Sequence, residues 1–489
     1  MSPSLSPPLS AAAPSMQVSD RLLWAPLAWV GNGWRRHVLL QVGADGCWQS
    51  VEPDSGAPPG ATVLDAPALP GLVNAHSHAF QRAFAGLAEQ REGDDASEAD
   101  DFWSWRDRMY AVALRITPPQ LRAVAAQLYL ELLRGGYTQV CEFHYLQHRP
   151  DGRPYDDPLA MAWALADAAV DAGIGLTLMP ALYERAGFTE AALKPTQRRF
   201  ASNADATVAA ALAVQSARRP LVDAGLVVHS LRAAEPTSIA ALHAASERIR
   251  GPIHIHVAEQ TAEVQDCLAV TGQRPIEWLL KAGVLDARWQ LVHATHTLPA
   301  EIEGVARSGA GVVLCPSTEA NLGDGLCDLP GWLAAGVPLA IGSDSHVTRD
   351  WREELRWLEY GQRLQLRQRN VAAAPALGMP SSLGRLWSQA LSGGAAAAGR
   401  SAWGLVAGAR ADLLVADPGD EALSGMPADR TLDALIGSSP GRPWRDVMVA
   451  GRWVVRDHQS PQAAAIHAAF RDAMQSLWAD DASADIQRH

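Results

Sequence analysis

From residue 69 onward the chain alternates between a short apolar run and a longer amphipathic one, and few folds tolerate that rhythm. The apolar runs at 69–78, 138–145, 174–183, 225–232, 252–259, 289–296, 309–318 and 337–346 read as eight strands. After the first of them, Thr117-Pro118 opens a helix in cap-then-proline order, with Leu121, Val124, Leu128 and Leu132 on one face until Gly135-Gly136 stops it. Strands that alternate with helices lie parallel, because each parallel return needs a crossover. Eight such units in roughly 320 residues is the size of a (β/α)8 TIM-like barrel with insertions, an α/β fold. The competitor, an open doubly wound sheet, calls for a glycine-rich turn after its first strand, whereas Gly71 precedes the histidines of that strand.

The two ends of the chain differ from its middle. Residues 18–68 hold short apolar segments such as Val38-Leu39-Leu40-Gln41-Val42, broken by Gly43, Asp45-Gly46 and Pro58-Pro59-Gly60. A similar texture returns after Leu405, ending in a hairpin that turns at Gly451. Residues 18–68 and 400–460 therefore predict a small composite β-sandwich domain beside a barrel at 69–399. An Ala-rich helix from Pro461 to about Trp478 opens the C-terminal piece, 461–489. The Ser-, Pro- and Ala-rich residues 1–17 read as a disordered tail without the basic and apolar regions of a signal peptide. The acidic stretch from Glu89 to Asp101 and the run Phe102-Trp103-Ser104-Trp105-Arg106-Asp107-Arg108 read as a long loop over a site, a lid spanning 89–110.

Charge and cysteine usage narrow the partners. A formal net charge of -12 argues against nucleic acid or an anionic membrane, so a small molecule is the expected substrate. No run reaches the 18 or so apolar residues of a membrane helix. Five scattered cysteines with no Cys-x-x-Cys pair fit a reducing cytoplasm better than a disulfide framework. The sequence leaves the oligomeric state open, a homodimer being one expectation.

The chemistry begins at His76-Ser77-His78. Residues two apart on a strand share a face, so these imidazoles can meet one cation. In a parallel barrel the working side chains gather at the C-terminal strand ends, where His256, His293 and Asp344 also fall. Singly, each has a commonplace alternative: a hydrogen-bonded core histidine, or a cap for the next helix. Together, three histidines and a carboxylate with an open position suit a catalytic Zn²⁺ that lowers the pKa of water to near 7. Glu259 lies three residues beyond His256 and can shuttle a proton, although it also reads as a helix-start glutamate. His254 shares a face with His256, and His296 competes with His293; His256 is preferred as nearer the mouth.

His-x-His on strand one, His on strands five and six, and Asp on strand eight resemble the amidohydrolase superfamily, over nearly the whole chain. Its binuclear members bridge two metals with a carbamylated lysine on strand four; residues 225–232 have none, so one zinc per chain is implied. Within the superfamily the chain is similar to the formiminoglutamate deiminases of histidine degradation. The similarity is carried by His76-Ser77-His78-Ala79-Phe80-Gln81-Arg82, Phe102-Trp103-Ser104-Trp105-Arg106, Glu142-Phe143-His144-Tyr145, His229-Ser230-Leu231-Arg232 and Ser317-Thr318-Glu319-Ala320-Asn321-Leu322-Gly323. It implies zinc on His76, His78, His256 and Asp344, with Glu259, His293 and Asp344 handling protons. It further implies that Gln81, Arg106, Tyr145, His229 and Arg232 hold the substrate.

Physical reasoning agrees with that implication. A formimino-glutamate carries two carboxylates, and arginine grips a carboxylate with paired donors. The implied reaction is hydrolysis of the formimino group to N-formyl-L-glutamate and ammonia. A nucleobase or aryl-ring deaminase of the same superfamily is the rival enzyme, and would want an apolar stacking pocket. A silent scaffold that kept only the barrel would be expected to lack a ligand or Glu259, and none is missing.

Overall fold

The computed structural model describes residues 21–90 and 102–485; the expected tail at 1–17 and the acidic residues 91–101 lie outside them. The described chain opens with a hairpin of β1 (Leu22–Val30) and β2 (Gly33–Val42), extended by β3 (Trp48–Glu52). Two short strands, β4 (Thr62–Val63) and β5 (Ala68–Leu69), run parallel to β1. The barrel starts at β6 (Leu72–Ser77), which α1 (Phe102–Ala113) and α2 (Pro118–Arg134) link to β7 (Tyr137–His144). Then come α3 (Ala160–Ala172), β8 (Gly175–Leu182), α4 (Ala204–Ala217), β9 (Val222–Ala224), β10 (Leu226–Ser230), α5 (Pro236–Ala245) and β11 (Ile253–Val257). The remaining units are α6 (Thr261–Thr271), α7 (Pro275–Ala282), β12 (Trp289–His293), α8 (Pro299–Ser308), β13 (Gly311–Leu314), α9 (Pro316–Leu322), α10 (Leu329–Ala335) and β14 (Leu339–Ile341), after which α11 (Trp351–Leu366) and α12 (Ser382–Ala397) pack on the barrel.

Eight parallel strands, β6, β7, β8, β10, β11, β12, β13 and β14, stand side by side in that order, with β9 as a short addition beside β8. Closure comes from Asp344, which pairs with Ser77: its N–H donates to the His76 carbonyl at 3.0 Å and its carbonyl accepts from the His78 N–H at 3.4 Å. Every residue of β6, β7, β8 and β11 is buried, as a sheet covered on both faces requires. Leu121, Val124, Leu128 and Leu132 of α2 face this core as the sequence predicts, and truncating such a leucine to alanine costs about 2–5 kcal/mol. The helix is followed by Gly136 at φ +90°, where a Cβ would come within 2.4 Å of the Trp351 indole nitrogen.

Two expectations need correcting. The run 102–108 belongs to α1 rather than to a loop, because Met109, Tyr110, Val112 and Ala113 continue it as a helix with a buried face. The strands also stop sooner than hydropathy suggests. β13 ends at Leu314 because Pro316 starts α9, and β12 and β14 end where His293, Ala294, Asp344 and His346 turn left-handed, at φ of 69°, 48°, 45° and 65°.

Opposite the strand ends, α12 comes so close to the barrel that a Cβ on Gly393 would sit 2.0 Å from the Leu339 carbonyl. Its terminal carbonyls have no helical partners and take hydrogen bonds from inward-facing barrel residues instead. Ala397 O accepts from His254 Nε2 at 2.8 Å and from Cys141 Sγ at 3.5 Å, and Ala398 O accepts from Thr177 Oγ1 at 3.3 Å.

The chain then returns to its starting sheet with β15 (Leu413–Ala416), α13 (Thr431–Gly437), β16 (Trp444–Val449) and β17 (Arg452–Val455). The hairpin turns at Ala450-Gly451, both at positive φ, as a two-residue turn requires. Both ends thus build one eight-stranded sheet, β17-β16-β15-β5-β1-β2-β3 with β4 beside β1. Hydrogen bonds between Trp48 and the 408–409 backbone bring its far strand back to the approach of β15, and the wrapped sheet encloses a core of its own. The closing helix, α14 (Ala463–Asp485), begins two residues later than expected and lies against α2.

Candidate active site

Four side chains from three strand ends converge at the barrel mouth. His76 lies within β6, His78 just beyond it, His256 near the end of β11, and Asp344 after β14. His76 Nε2 lies 3.0 Å from His256 Nε2 and 3.3 Å from Asp344 Oδ1, and His78 Nε2 lies 3.4 Å from the same oxygen. Burial drives the His76 imidazole down to about 3 and His256 well below its ordinary value, so both rings are neutral. Burial alone would raise the Asp344 carboxyl, but the imidazoles of His76, His78 and His293 hold it below the usual carboxylate range. His78 Nδ1–H donates to the Phe143 carbonyl at 3.0 Å, which leaves its Nε2 free to bind a cation.

The donor set fits a metal. Ligands about 2.0–2.1 Å from a zinc ion stand roughly 2.9–3.6 Å apart, close to the three separations above; His76, His78 and Asp344 place ligand atoms within 4.8 Å of one another, as do His76, His256 and His293. Three imidazole nitrogens and one carboxylate oxygen are ligands that zinc takes, and water would join them as a fifth.

Beside this cage stands a proton-handling group. His293 Nε2 faces Glu259 Oε1 at 3.7 Å and Asp344 Oδ2 at 3.9 Å, while its Nδ1 faces Glu319 Oε1 at 3.4 Å. Burial would lower His293, yet Glu259, Glu319 and Asp344 push it up to about 10; a cation gripped by Asp344 would offset that carboxylate and push the ring back down, leaving Nε2 able to accept a proton. Glu259 is raised to about 7 by burial, partly offset by His293 and Arg232, so it can both accept and give a proton near neutrality. Left-handed backbone recurs here, at Ala258, His293, Ala294 and Asp344, in the kind of strain that collects at functional sites.

The pocket above is walled by Gln81, Trp105, Arg106, Tyr110, Tyr145, Tyr183, Phe200, His229 and Arg232. Gln81 Nε2 donates to Tyr145 Oη at 3.3 Å, and the His229 ring packs edge-on against Tyr183 and Tyr145. The Arg106 guanidinium lies 5.8 Å from the Tyr110 ring centre. Arg232 is half-buried; its Nε has no hydrogen-bond partner and no carboxylate pairs with it among the described residues. A cation so placed is a ready partner for a ligand's negative charge.

Comparison with known proteins gives a match over residues 68–454 to the amidohydrolase family. The chain belongs to that family. It is 48% identical over 440 residues to a formimidoylglutamate deiminase of Pseudomonas aeruginosa, covering 89% of this chain and 94% of that protein. The crystal structure of an amidohydrolase from Brucella melitensis superposes with a TM-score of 0.87 at 40% identity, over 94% of this chain and 99% of that one. An adenosine deaminase from Xanthomonas campestris, solved with bound zinc, shares the fold at 24% identity and a TM-score of 0.75, over 93% and 98% of the two chains.

In this amidohydrolase every site residue expected from the sequence reaches the same mouth, and the two competing histidines lie apart from it. His254, one layer deeper than His256, is tied to Ala397, and His296 lines a separate cleft with Arg274 and Gln362. Arg82, from the same motif as Gln81, is bound by Glu131 at 2.8 Å. Sequence reasoning missed the aromatic walls Tyr110, Tyr183 and Phe200, and the contact behind His293. Glu319 stood in a quoted segment, but nothing local signalled its partner on another strand. Among the described residues no helix is long and apolar enough to cross a membrane.

Proposed function

We propose that this amidohydrolase hydrolyses N-formimino-L-glutamate to N-formyl-L-glutamate and ammonia in histidine degradation, with one zinc ion per chain. The observation that carries the reading is the pairing of the cage with two pocket arginines, of which Arg232 has no carboxylate partner among the described residues. A dicarboxylate with a formimino group suits such a pocket: one anionic end for Arg232, a second within the wall that Arg106 lines, and a polar carbon for the cage. The 48% identity to the P. aeruginosa deiminase supports the same choice.

His76, His78, His256 and Asp344 would hold the zinc. When bound, that ion supplies Lewis acidity, lowering the pKa of water toward 7 and polarising the formimino group. Water adds to the formimino carbon, and Asp344 Oδ2 and His293 Nε2 take up its proton. Glu259, with its carboxyl near 7, gives a proton to the imino nitrogen, then takes the hydroxyl proton of the adduct and passes it to the same nitrogen. The C–N bond then breaks, ammonia leaves and the carbon becomes the formyl carbonyl. Gln81, Tyr145 and His229 orient the glutamate portion, and the aromatic walls limit water's access to the reacting carbon.

The barrel, residues 69–399, carries all of these groups, whereas the composite domain, 18–68 with 400–460, carries none and serves as support. The absence of a disulfide among five free cysteines supports a cytoplasmic setting. Tyr110, Tyr183 and Phe200 favour one second reading, deamination of a stacked base. The deciding assay is ammonia release from N-formimino-L-glutamate against adenine, guanine and cytosine, with products identified by mass and zinc counted per chain. Faster turnover of a base would retire the proposed substrate.

A further inference from the structure

Glu319 is a carboxylate at the heart of the site to which the mechanism above gives no task. It lies in the first turn of α9 and is only 4% exposed. A buried carboxylate is costly unless paired, yet among the described residues no lysine or arginine reaches it, and His293 is its ionic partner. Its Oε1, 3.4 Å from His293 Nδ1, also accepts the Cys315 N–H at 2.8 Å, which fixes where the carboxylate sits. The start of α9 is anchored in turn by Glu354, which accepts from Ser317 N–H at 2.9 Å and Ser317 Oγ at 2.7 Å.

On the other side, His293 ends β12 in a left-handed conformation, with its Nε2 aimed between Glu259 and Asp344. An imidazole swings about its Cβ–Cγ bond, and whatever grips one nitrogen decides where the other points and which of them carries the proton. We propose that Glu319 is the positioning residue for His293: it accepts the Nδ1–H, fixes that tautomer and holds Nε2 toward Glu259 and Asp344 as the proton-accepting atom. The inference rests on the preceding reading, in which His293 takes a proton from the attacking water. A competing role is visible, since His293, Cys315 and Glu319 also place ligand atoms within 4.8 Å of one another and could grip a cation.

The test is a double-mutant cycle on the zinc-loaded enzyme. Glu319→Ala should lower kcat about 100-fold, with KM within twofold and zinc per chain unchanged, the scale for losing a partner that orients a metal-site histidine. Glu319→Gln keeps an acceptor for Nδ1–H and should lose about tenfold or less. In a His293→Ala background the Glu319 changes should cost less than twofold more, because their effect passes through His293. Long-range ¹H–¹⁵N spectra of the histidine rings should show His293 protonated at Nδ1 in the parent and a mixture of tautomers in Glu319→Ala. If the alanine variant does not fold, the Gln variant and its pair with His293→Ala carry the cycle. Full additivity of the two substitutions, loss of zinc from the Glu319 variants, or a raised KM at parental kcat would each overturn the proposal. A parent enzyme inactive on N-formimino-L-glutamate would retire the substrate reading instead, and the ring spectra would then decide the role of Glu319.

Discussion

The mouth and the floor of this barrel are both lined with buried histidine, and they treat it in opposite ways. At the floor His254 gives its Nε2–H to the Ala397 carbonyl, beside Cys141 and Thr177, which bond the same helix end. At the mouth His76, His78 and His256 turn their Nε2 atoms on one another and on Asp344. His254 and His256 are two residues apart on one face of β11, so composition and alternation treat them alike. The difference is that His254 Nε2, Cys141 and Thr177 at the floor bond the end of a helix, which makes them structure, whereas the Nε2 atoms at the mouth suit something that binds.

The sharpest way to break that contrast is to exchange the fates of the two histidines. His256→Ala should lose zinc and turnover to background, while His254→Ala should keep zinc and lose stability, as metal analysis by mass spectrometry and urea unfolding will show. Full zinc occupancy in His256→Ala would move the ligand role to His254. The next largest effect is expected from Glu259→Gln, which keeps shape and zinc but removes the titrating carboxyl, for a fall in kcat of about 10³-fold. A variant as fast as the parent would end its part in proton transfer. Arg232→Met should leave zinc in place and cost about 3 kcal/mol in kcat/KM for formimino-glutamate, the scale for stranding a charged partner. Lysine is no safe replacement, because it cannot offer paired donors.

The smallest effect belongs to the floor and to pH. Burial lowers the His254 imidazole to about 4, with the Ala397 carbonyl opposing only in part. From about pH 6.5 downward the unfolded chain accepts a proton that the folded chain refuses. Stability from this group is therefore present above 6.5 and lost as pH falls toward 4, by about 3 kcal/mol at most. His254→Gln, which can still donate to Ala397, should flatten the fall in urea midpoint between pH 7.5 and 5. An unchanged slope would assign the acid sensitivity to other groups.

Much of this was legible in the chain. Short apolar runs and cap signals located the barrel strands and α2, and His76-x-His78 marked the mouth because spacing on a strand is a local matter. What stayed hidden depends on tertiary meeting. Tyr183 and Phe200 carry no local sign of a site, and only the fold brings them over the cage. The run 102–108 looked like a loop because its polar residues mask a helix whose buried face emerges at Met109 and Tyr110. The strand ends were overestimated because hydropathy carries no record of the left-handed turns at His293 and Asp344.

Closure of the barrel at Ser77 and Asp344 also fixes an order of assembly. Asn74 and Ser343 clasp the same seam, 269 residues apart, through Asn74 Nδ2–H to Ser343 Oγ and Ser343 N–H to Asn74 Oδ1. A growing polypeptide therefore exposes His76 and His78 early and must make nearly the whole barrel before Asp344 arrives beside them. A cation gripping both ends ties the first strand to the last, a long-range link that favours the finished chain over any shorter one. A polypeptide stopped after β13 has its three histidines and no seam to hold them together.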